Sequence, residues 1–278
     1  MSARWEKLER ACFQHLKKTY KHICDIIPYG KSNSTKPDIQ IITSSGKDFF
    51  VEVKAKSSQC CQFVLFPNSE KECFDFSVDN KIPFFDSHKM IIQHMDENYT
   101  KYHNVGETGI PINVDKTVLY QLVDDYFKHK NVKYFMTEKN IIFPLEDFSN
   151  YFDIVAFYRK KTSGSSEPAI TKNTIELTDG IKANSIPGTI EYKKFDKKRR
   201  CFLHSDLYVH TKRIILEEYT YQFKENDYSN TLPRLMKYVF EIRRLSHTRN
   251  PNVICQLTLK NNEQNATHLK TFENELNN

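Results

Sequence analysis

The sequence predicts a mixed α/β protein, and three stretches carry that prediction. Residues 3–24 repeat apolar side chains at helical spacing, which is typical of an amphipathic helix. Residues 38–43 and 48–55 are rich in β-branched and aromatic residues on either side of a Ser-Ser-Gly-Lys turn, which predicts a β-hairpin. Residues 62–66 follow as a third strand. A helix therefore precedes a small group of neighbouring strands.

Helical and strand patterns continue along the rest of the chain. Asp115 is a candidate N-cap, since a carboxylate there can accept a hydrogen bond from the first turn of the helix that follows. The further elements that the sequence predicts are a helix over 86–103, a helix from Asp115 to residue 129, strands at 134–136, 141–143 and 153–158, a polar loop over 162–168, short β-like runs between 170 and 222, and a hairpin that pairs 239–245 with 253–259.

Length and the absence of repeats indicate one extended domain. A chain of 278 residues can bury one large core, with or without a small subdomain. We expect a single domain over residues 1–260, with a catalytic core near 1–160 and a recognition elaboration near 160–260. Residues 261–278 are polar and are expected to form a mobile tail.

Composition indicates a cytoplasmic protein. The seven cysteines are an odd number and contain no Cys-x-x-Cys pair, which favours reduced thiols. No run of eighteen apolar residues predicts a transmembrane helix, so no membrane partner is expected. The charged, helical N-terminus also lacks the apolar stretch of a secretory signal.

The predicted hairpin places two acids and a lysine in one region. Pro37-Asp38 is followed, fourteen residues after the aspartate, by Glu52-Val53-Lys54. Glu52 and Lys54 are two apart on a strand and share a face, while an antiparallel partner strand brings Asp38 back toward them. Carboxylate oxygens are the ligands that Mg²⁺ prefers, and a lysine can orient or activate water or neutralise charge on a phosphate. The pattern therefore predicts a metal-dependent phosphodiester-cleaving site.

A simpler interpretation of the same residues stays open. Pro-Asp followed by acid-x-Lys also arises by chance, and Glu-x-Lys on a strand is commonly a solvated edge. The favourable context here is a helix before the hairpin and a third strand after it.

Residues 3–66 resemble the PD-(D/E)XK nuclease superfamily, most of all its type II restriction endonuclease branch. The resemblance implies a restriction-endonuclease-like core, in which a central mixed β-sheet is flanked by helices. It implies that Asp38 and Glu52 bind Mg²⁺, for which Mn²⁺ can substitute, and that Lys54 is the catalytic lysine. It also adds two candidates: Glu9, an acid on the first helix, and Gln62, at the start of the third strand. A solvated helix acid and an ordinary strand-start glutamine are the alternatives for these two.

Basic residues form clusters beyond the predicted core. The net charge is +6, and clusters of this kind suit phosphate contacts with nucleic acid, although a single cluster is more often a solvated face. The candidate DNA-binding residues are Lys160, Lys161, Ser163, Ser165, Lys197, Lys198, Arg199 and Arg200.

The expected function is that of a Mg²⁺-dependent, sequence-specific endodeoxyribonuclease acting on double-stranded DNA. The alternatives are a structure-specific or repair nuclease of the same superfamily and a non-catalytic DNA-binding protein. A homodimer, and a cognate DNA methyltransferase that acts on the same site, are the further partners that the resemblance leaves open.

Overall fold

A computed structural model describes most of the chain, and its backbone forms two compact units. One unit combines Ser2–Lys161 with Asn250–Asn278, and the other is Thr162–Arg249. The single domain expected over residues 1–260 stays a prediction. The residues that the structure describes are 4–30, 36–162, 166–168, 174–195, 198–210, 213–216, 219–225 and 238–277.

Helices occur in both units. In chain order they are α1 (Arg4–Tyr20), α2 (Asp86–Glu97), α3 (Tyr99–Tyr102), α4 (Lys116–His129), α5 (Phe148–Tyr151), α6 (Thr174–Ala183) and α7 (Ala266–Leu276), and a 3-10 turn at Leu145–Asp147 precedes α5. Among the described residues, none of these helices has the length and apolar character needed to cross a membrane.

The first sheet of the larger unit carries the predicted hairpin. Among its described strands, only the β3–β7 pair is parallel and the other pairs are antiparallel, so the sheet is mixed. Phe49 and Val51 face a core that α1 and α7 complete, and Phe135 faces a second core with α4. The central mixed sheet flanked by helices is therefore confirmed. Its strands, in spatial order, are β1 (Cys24–Pro28), β2 (Ile39–Thr43), β3 (Asp48–Lys54), β7 (Val132–Thr137) and β8 (Ile142–Pro144).

A second sheet of the larger unit packs under α2 and α4. Its side chains and those of the two helices share one core, which includes Phe63, Ile91 and Leu122. The spatial order of its strands is β5 (Cys73–Phe76), β4 (Ser57–Asn68), β16 (Arg249–Leu259), β9 (Phe152–Thr162) and β6 (Ile110–Ile112).

The smaller unit is an antiparallel sheet that packs against α6. Leu177 and Ile181 of that helix meet Leu203 and Ile242 of the sheet in one core. The spatial order is β11 (Thr189–Phe195), β12 (Lys198–Ser205), β15 (Tyr238–Leu245), β14 (Tyr219–Glu225) and β13 (Arg213–Leu216), with β10 (Ser166–Pro168) beside β15.

Several local predictions are confirmed. The helix predicted over residues 3–24 is α1, although it ends at Tyr20 and Cys24 already begins β1. The predicted hairpin is the β2–β3 pair, in which Ile39 lies opposite Val51. Asp115 caps α4, where its side chain accepts a hydrogen bond from the Thr117 amide at 2.8 Å. The strands predicted at 134–136 and 141–143 are the antiparallel pair β7–β8.

The predicted hairpin near the C-terminus is wrong. Strand β15 pairs with β12 and β14 in the smaller unit, whereas β16 lies between β4 and β9 in the larger one. Both strands are buried on at least one face, and a local pattern cannot say which sheet receives each of them.

The predicted polar tail over 261–278 is also wrong. Residues Ala266–Leu276 form α7, whose Phe272 and Leu276 are buried against the first sheet. The chain between 170 and 222, predicted as β-like, contains α6, and the predicted loop over 162–168 ends in strand β10. Residues 163–165 lie outside the described part of that loop.

Candidate active site

The backbone before β2 fixes the position of Asp38. Its carbonyl oxygen accepts hydrogen bonds from the amides of Tyr29, at 2.8 Å, and Gly30, at 3.3 Å. Its carboxylate oxygen Oδ2 accepts a bond from the Val53 amide at 2.8 Å. Gly30 is required for this approach, because a Cβ there would lie 2.5 Å from the Pro37 carbonyl oxygen. Asp38 is therefore held against β3 beside Glu52 and Lys54.

Glu52 and Lys54 form a buried ion pair on one face of β3. The Lys54 ammonium lies 2.5 Å from Glu52 Oε1, and the two residues are only 9% and 7% exposed, respectively. This confirms that they share a face, although that face is buried and is not a solvated edge. Glu52 Oε2 is also buried, and no hydrogen-bond partner for it exists in the described part of the chain. A buried carboxylate oxygen without a hydrogen bond is suited to bind a cation.

Glu9 of α1 lies with these acids. Its side chain lies close to Asp38 and within electrostatic reach of Glu52 and Lys54. The structure thus places Glu9 beside the predicted site, where sequence reasoning favoured a solvated helix acid. Its role in metal binding or catalysis stays a prediction.

Crowded carboxylates dominate the electrostatics of the site. Burial and repulsion from Glu52 raise the pKa of Glu9 to about 7. The pKa of Asp38 is held well above its usual range by burial and then by Glu52. Burial alone would lower the pKa of Lys54, but Glu52 and Asp38 together outweigh it and raise that pKa, so Lys54 is protonated at neutral pH. The cluster therefore favours a bound cation.

The last turns of α4 form another wall of the site, which sequence reasoning did not identify. Lys54 Nζ lies 5.4 Å from the centroid of the Phe127 ring, and Lys130 Nζ lies 4.2 Å from that of Tyr126. Phe127 is also a buried residue of the core between α4 and the sheets. The missed signal is the spacing of Tyr126 and Lys130, which are four apart and therefore neighbours on one side of the helix.

Gln62 has other partners among the described residues. It lies in the middle of β4, which begins at Ser57, so the expectation that Gln62 starts the third strand is wrong. Its amide nitrogen donates to Asn252 Oδ1 at 2.9 Å, and its amide oxygen accepts from Lys161 at 2.6 Å. Cys61, just before it, has a positive φ of 50°, and the register between β4 and β16 shifts there, so a β-bulge precedes Gln62. Its catalytic role stays a prediction.

The candidate DNA-binding residues are only partly described. Lys160 is exposed on β9, and Lys161 is bound to Gln62. Burial and then Arg159 lower the pKa of Lys161. Arg200 lies 3.9 Å from Glu241, which also receives Arg243 at 2.9 Å, so ion pairs within the sheet offset part of its charge. The remaining candidates, which lie outside the described residues or have side chains outside them, are Ser163, Ser165, Lys197, Lys198 and Arg199.

All seven cysteines are free thiols, and all but Cys73 are buried. Burial, and then the charge of Asp38, raise the pKa of Cys12 to about 12. This agrees with the expectation of reduced thiols.

Comparison with known proteins gives one match along the whole chain. No protein-family model matches, and no curated protein sequence matches either. A solved structure of HhaI endonuclease in complex with DNA, at pH 6.0, matches with a TM-score of 0.75 and 32% sequence identity, over 99% of each chain. The chain belongs to the family of HhaI endonuclease.

Membership of the HhaI endonuclease family confirms a restriction-endonuclease-like fold for the whole chain. This includes the part after residue 66, which the sequence motif did not cover. The PD-(D/E)XK assignment and the roles of individual site residues stay predictions.

The donor set of the site fits Mg²⁺. In the described part of the chain, no group of three or more His, Cys, Asp and Glu side chains is arranged to hold a metal. Mg²⁺ does not need such a group, because it is commonly bound by one or two carboxylates together with waters and substrate phosphates. Asp38 and Glu52 supply two hard carboxylates, and the buried Glu52 Oε2 is open to a cation.

Proposed function

We propose that this member of the HhaI endonuclease family is a Mg²⁺-dependent, sequence-specific endodeoxyribonuclease of restriction type. It would hydrolyse phosphodiester bonds in double-stranded DNA. The observation that carries the proposal is the likeness to HhaI endonuclease, in complex with DNA, along 99% of both chains. The cluster of Asp38, Glu52 and Lys54 supports it, since these residues are the types that phosphodiester hydrolysis requires.

Asp38 and Glu52 would hold the metal ion. When bound, Mg²⁺ supplies Lewis-acid polarisation of a phosphoryl oxygen. The Val53 amide holds Asp38 in place through one carboxylate oxygen, and Lys54 holds Glu52 through one of its own. The other oxygen of each carboxylate is then available as a ligand.

Lys54 would act as a fixed positive charge. Its pKa is raised by Glu52 and Asp38, so it is protonated at neutral pH and cannot accept a proton from water in that state. A protonated lysine can donate hydrogen bonds to water or to phosphate oxygens and can stabilise the negative charge that develops during hydrolysis. We therefore favour orientation and charge stabilisation over base catalysis for this residue.

Recognition of the DNA sequence would fall to the later part of the chain, which includes the Thr162–Arg249 unit. Phosphate contacts position a protein on DNA, whereas sequence is read by hydrogen bonds to base edges. The basic residues of this part are the candidates for both kinds of contact.

The decisive experiment is incubation of the purified protein with long DNA, with and without Mg²⁺, followed by sequencing of the product ends. Discrete fragments with one shared end sequence are expected only with Mg²⁺. A smear would favour a nuclease without sequence preference, and intact DNA together with a gel shift would favour a non-catalytic DNA-binding protein.

Two variants connect any cleavage to the proposed site. Asp38→Ala and Glu52→Ala should each abolish cleavage and leave DNA binding without metal measurable, because each removes a hard oxygen ligand. Asp48→Ala is the matched control, since Asp48 is an exposed acid on the same hairpin, bound to Gln40 at 2.9 Å. Turnover at the wild-type rate in either site variant would remove the assignment.

A further inference from the structure

A second lysine lies beside the predicted catalytic lysine. Lys130 caps the C-terminal end of α4, and its Nζ is 4.2 Å from the centroid of the Tyr126 ring and 5.9 Å from that of Phe127. Lys54 Nζ is 5.4 Å from the same Phe127 ring. The two ammonium groups thus share an aromatic neighbour, and cation–π contacts of this kind hold a lysine in one place.

The surroundings of Lys130 differ from those of its helix neighbours. Burial lowers the pKa of Lys130, while Glu52 raises it, so the lysine lies within electrostatic reach of the site. Lys128, two residues earlier, is largely exposed and pairs with Asp124 at 2.7 Å. A helix C-terminus favours any nearby cation, which explains a lysine there but not its inward position. This inward position places the ammonium group on the side of the helix that faces the acids of the site.

The charge balance of the site calls for another cation. Glu9, Asp38 and Glu52 carry three negative charges when ionised, and Lys54 offsets one of them. A divalent ion would bring this group to neutrality, but the phosphodiester adds a negative charge, and more charge develops in the transition state.

We propose that Lys130 is a second catalytic lysine, whose ammonium group binds a non-bridging oxygen of the phosphodiester that is cleaved. The aromatic rings of Tyr126 and Phe127 position this ammonium beside the acid–lysine cluster. Lys130 adds this contact to the substrate phosphate, and Lys54 keeps its proposed role in orientation and charge stabilisation. This inference rests on the proposed nuclease function.

The test compares three variants with the wild-type protein. Lys130→Met keeps the apolar stem over Tyr126 and removes the charge, Lys130→Arg restores a charge, and Lys128→Met is the matched control on the exposed side of the helix. Single-turnover cleavage is measured with saturating enzyme and Mg²⁺. DNA affinity is measured by fluorescence anisotropy in EDTA, and folding by thermal unfolding.

Loss of one phosphate contact at the reacting group should slow single-turnover cleavage by Lys130→Met about tenfold to a thousandfold. DNA affinity and thermal unfolding should change little, Lys130→Arg should recover part of the rate, and Lys128→Met should match wild type. A solely structural role would instead lower the unfolding temperature, and a general attraction for DNA would lower affinity.

Three outcomes overturn the inference. If Lys130→Met cleaves as fast as wild type, Lys130 does not act on the phosphate, and the proposed function stands. If the rate loss is matched by a loss of folding in both Lys130 variants, the role is structural. If the wild-type protein leaves DNA intact with Mg²⁺, the proposed function fails, and this inference fails with it.

Discussion

Replacement of Glu9 by glutamine should stabilise the metal-free protein at high pH and not at low pH. The pKa of Glu9 is raised from its usual 4.5 to about 7, first by burial and then by Glu52. Below pH 4.5 the carboxyl is protonated in both the folded and the unfolded chain. Between pH 4.5 and about 7 the unfolded chain loses this proton while the folded chain keeps it, so stability falls as the pH rises. Above about pH 7 the full destabilisation is present, because Glu9 is then ionised in the folded chain as well.

The size of the effect follows from the pKa difference and from exposure. The full difference between 4.5 and about 7 would correspond to about 3 kcal/mol. Glu9 is only partly buried, so solvent screens the repulsion. We therefore expect the Glu9→Gln substitution to raise the free energy of unfolding by about 1 to 2 kcal/mol at high pH. For a chain of this size, that is a rise in unfolding temperature of roughly 2 to 8 °C.

The assay is thermal unfolding in EDTA at pH 5 and pH 8, with Glu70→Gln as a control at an exposed acid. The Glu9→Gln variant should unfold at a higher temperature than wild type at pH 8, with a much smaller difference at pH 5. Added Mg²⁺ should stabilise wild type more than the variant, because a bound cation relieves the repulsion among the acids. The reasoning is refuted if the difference between variant and wild type is the same at both pH values.

Three further predictions concern the lysine, the basic segment and the last helix. Lys54→Ala should slow single-turnover cleavage by about two orders of magnitude or more, with metal binding largely intact. Lys54→Arg should not restore the rate, because the planar guanidinium group does not replace the compact charge of an ammonium group. Equal rates in both variants and wild type would show that Lys54 has a structural role only. Joint neutralisation of the basic segment should weaken binding to all duplexes and flatten the slope of log affinity against log salt, while the cut positions stay the same. The assay is fluorescence anisotropy, and an unchanged slope would exclude the segment from the DNA-binding face. The residues to neutralise are Lys197, Lys198, Arg199 and Arg200. Phe272→Ala should lower the free energy of unfolding by about 3 to 5 kcal/mol in denaturant titration, because Phe272 is fully buried against Phe49 and Tyr134, whereas a mobile tail would give no change.

Local signals in the sequence were enough for the elements that carry the proposed metal ligands. Asp38, Glu52 and Lys54 belong to one hairpin, whose turn and alternating pattern are local properties of the sequence. Asp115 marks the start of α4, because its side chain accepts a hydrogen bond from the amide two residues later. The failures are long-range. Strands β15 and β16 both have apolar faces that suit any sheet, and only the assembled core assigns them to different sheets. The register and the partner of a strand are properties of the whole fold.

The last helix was missed although its signal was present. Leu269, Phe272 and Leu276 recur at helical spacing in α7, and Asn265 caps its first turn by accepting from the Thr267 amide at 2.9 Å. The many polar residues around them favoured a tail. Three apolar residues on one side of a short helix are enough when a sheet is available to bury them, and tertiary packing supplies most of the stability of such a helix.

The same division explains why the hairpin alone does not complete the site. The hairpin positions the two acids and Lys54 by itself, but Glu9 comes from α1 and Lys130 from α4, which are remote in sequence. Each of these residues is, in isolation, an ordinary charged residue on a helix surface. Only packing turns both toward the same buried acids, at a cost in desolvation and repulsion that a free helix would not have. Such a site is suited to bind a cation and a phosphate together. The cation reduces the repulsion among the buried acids, and the phosphate offsets the positive charge of the cation and of Lys130.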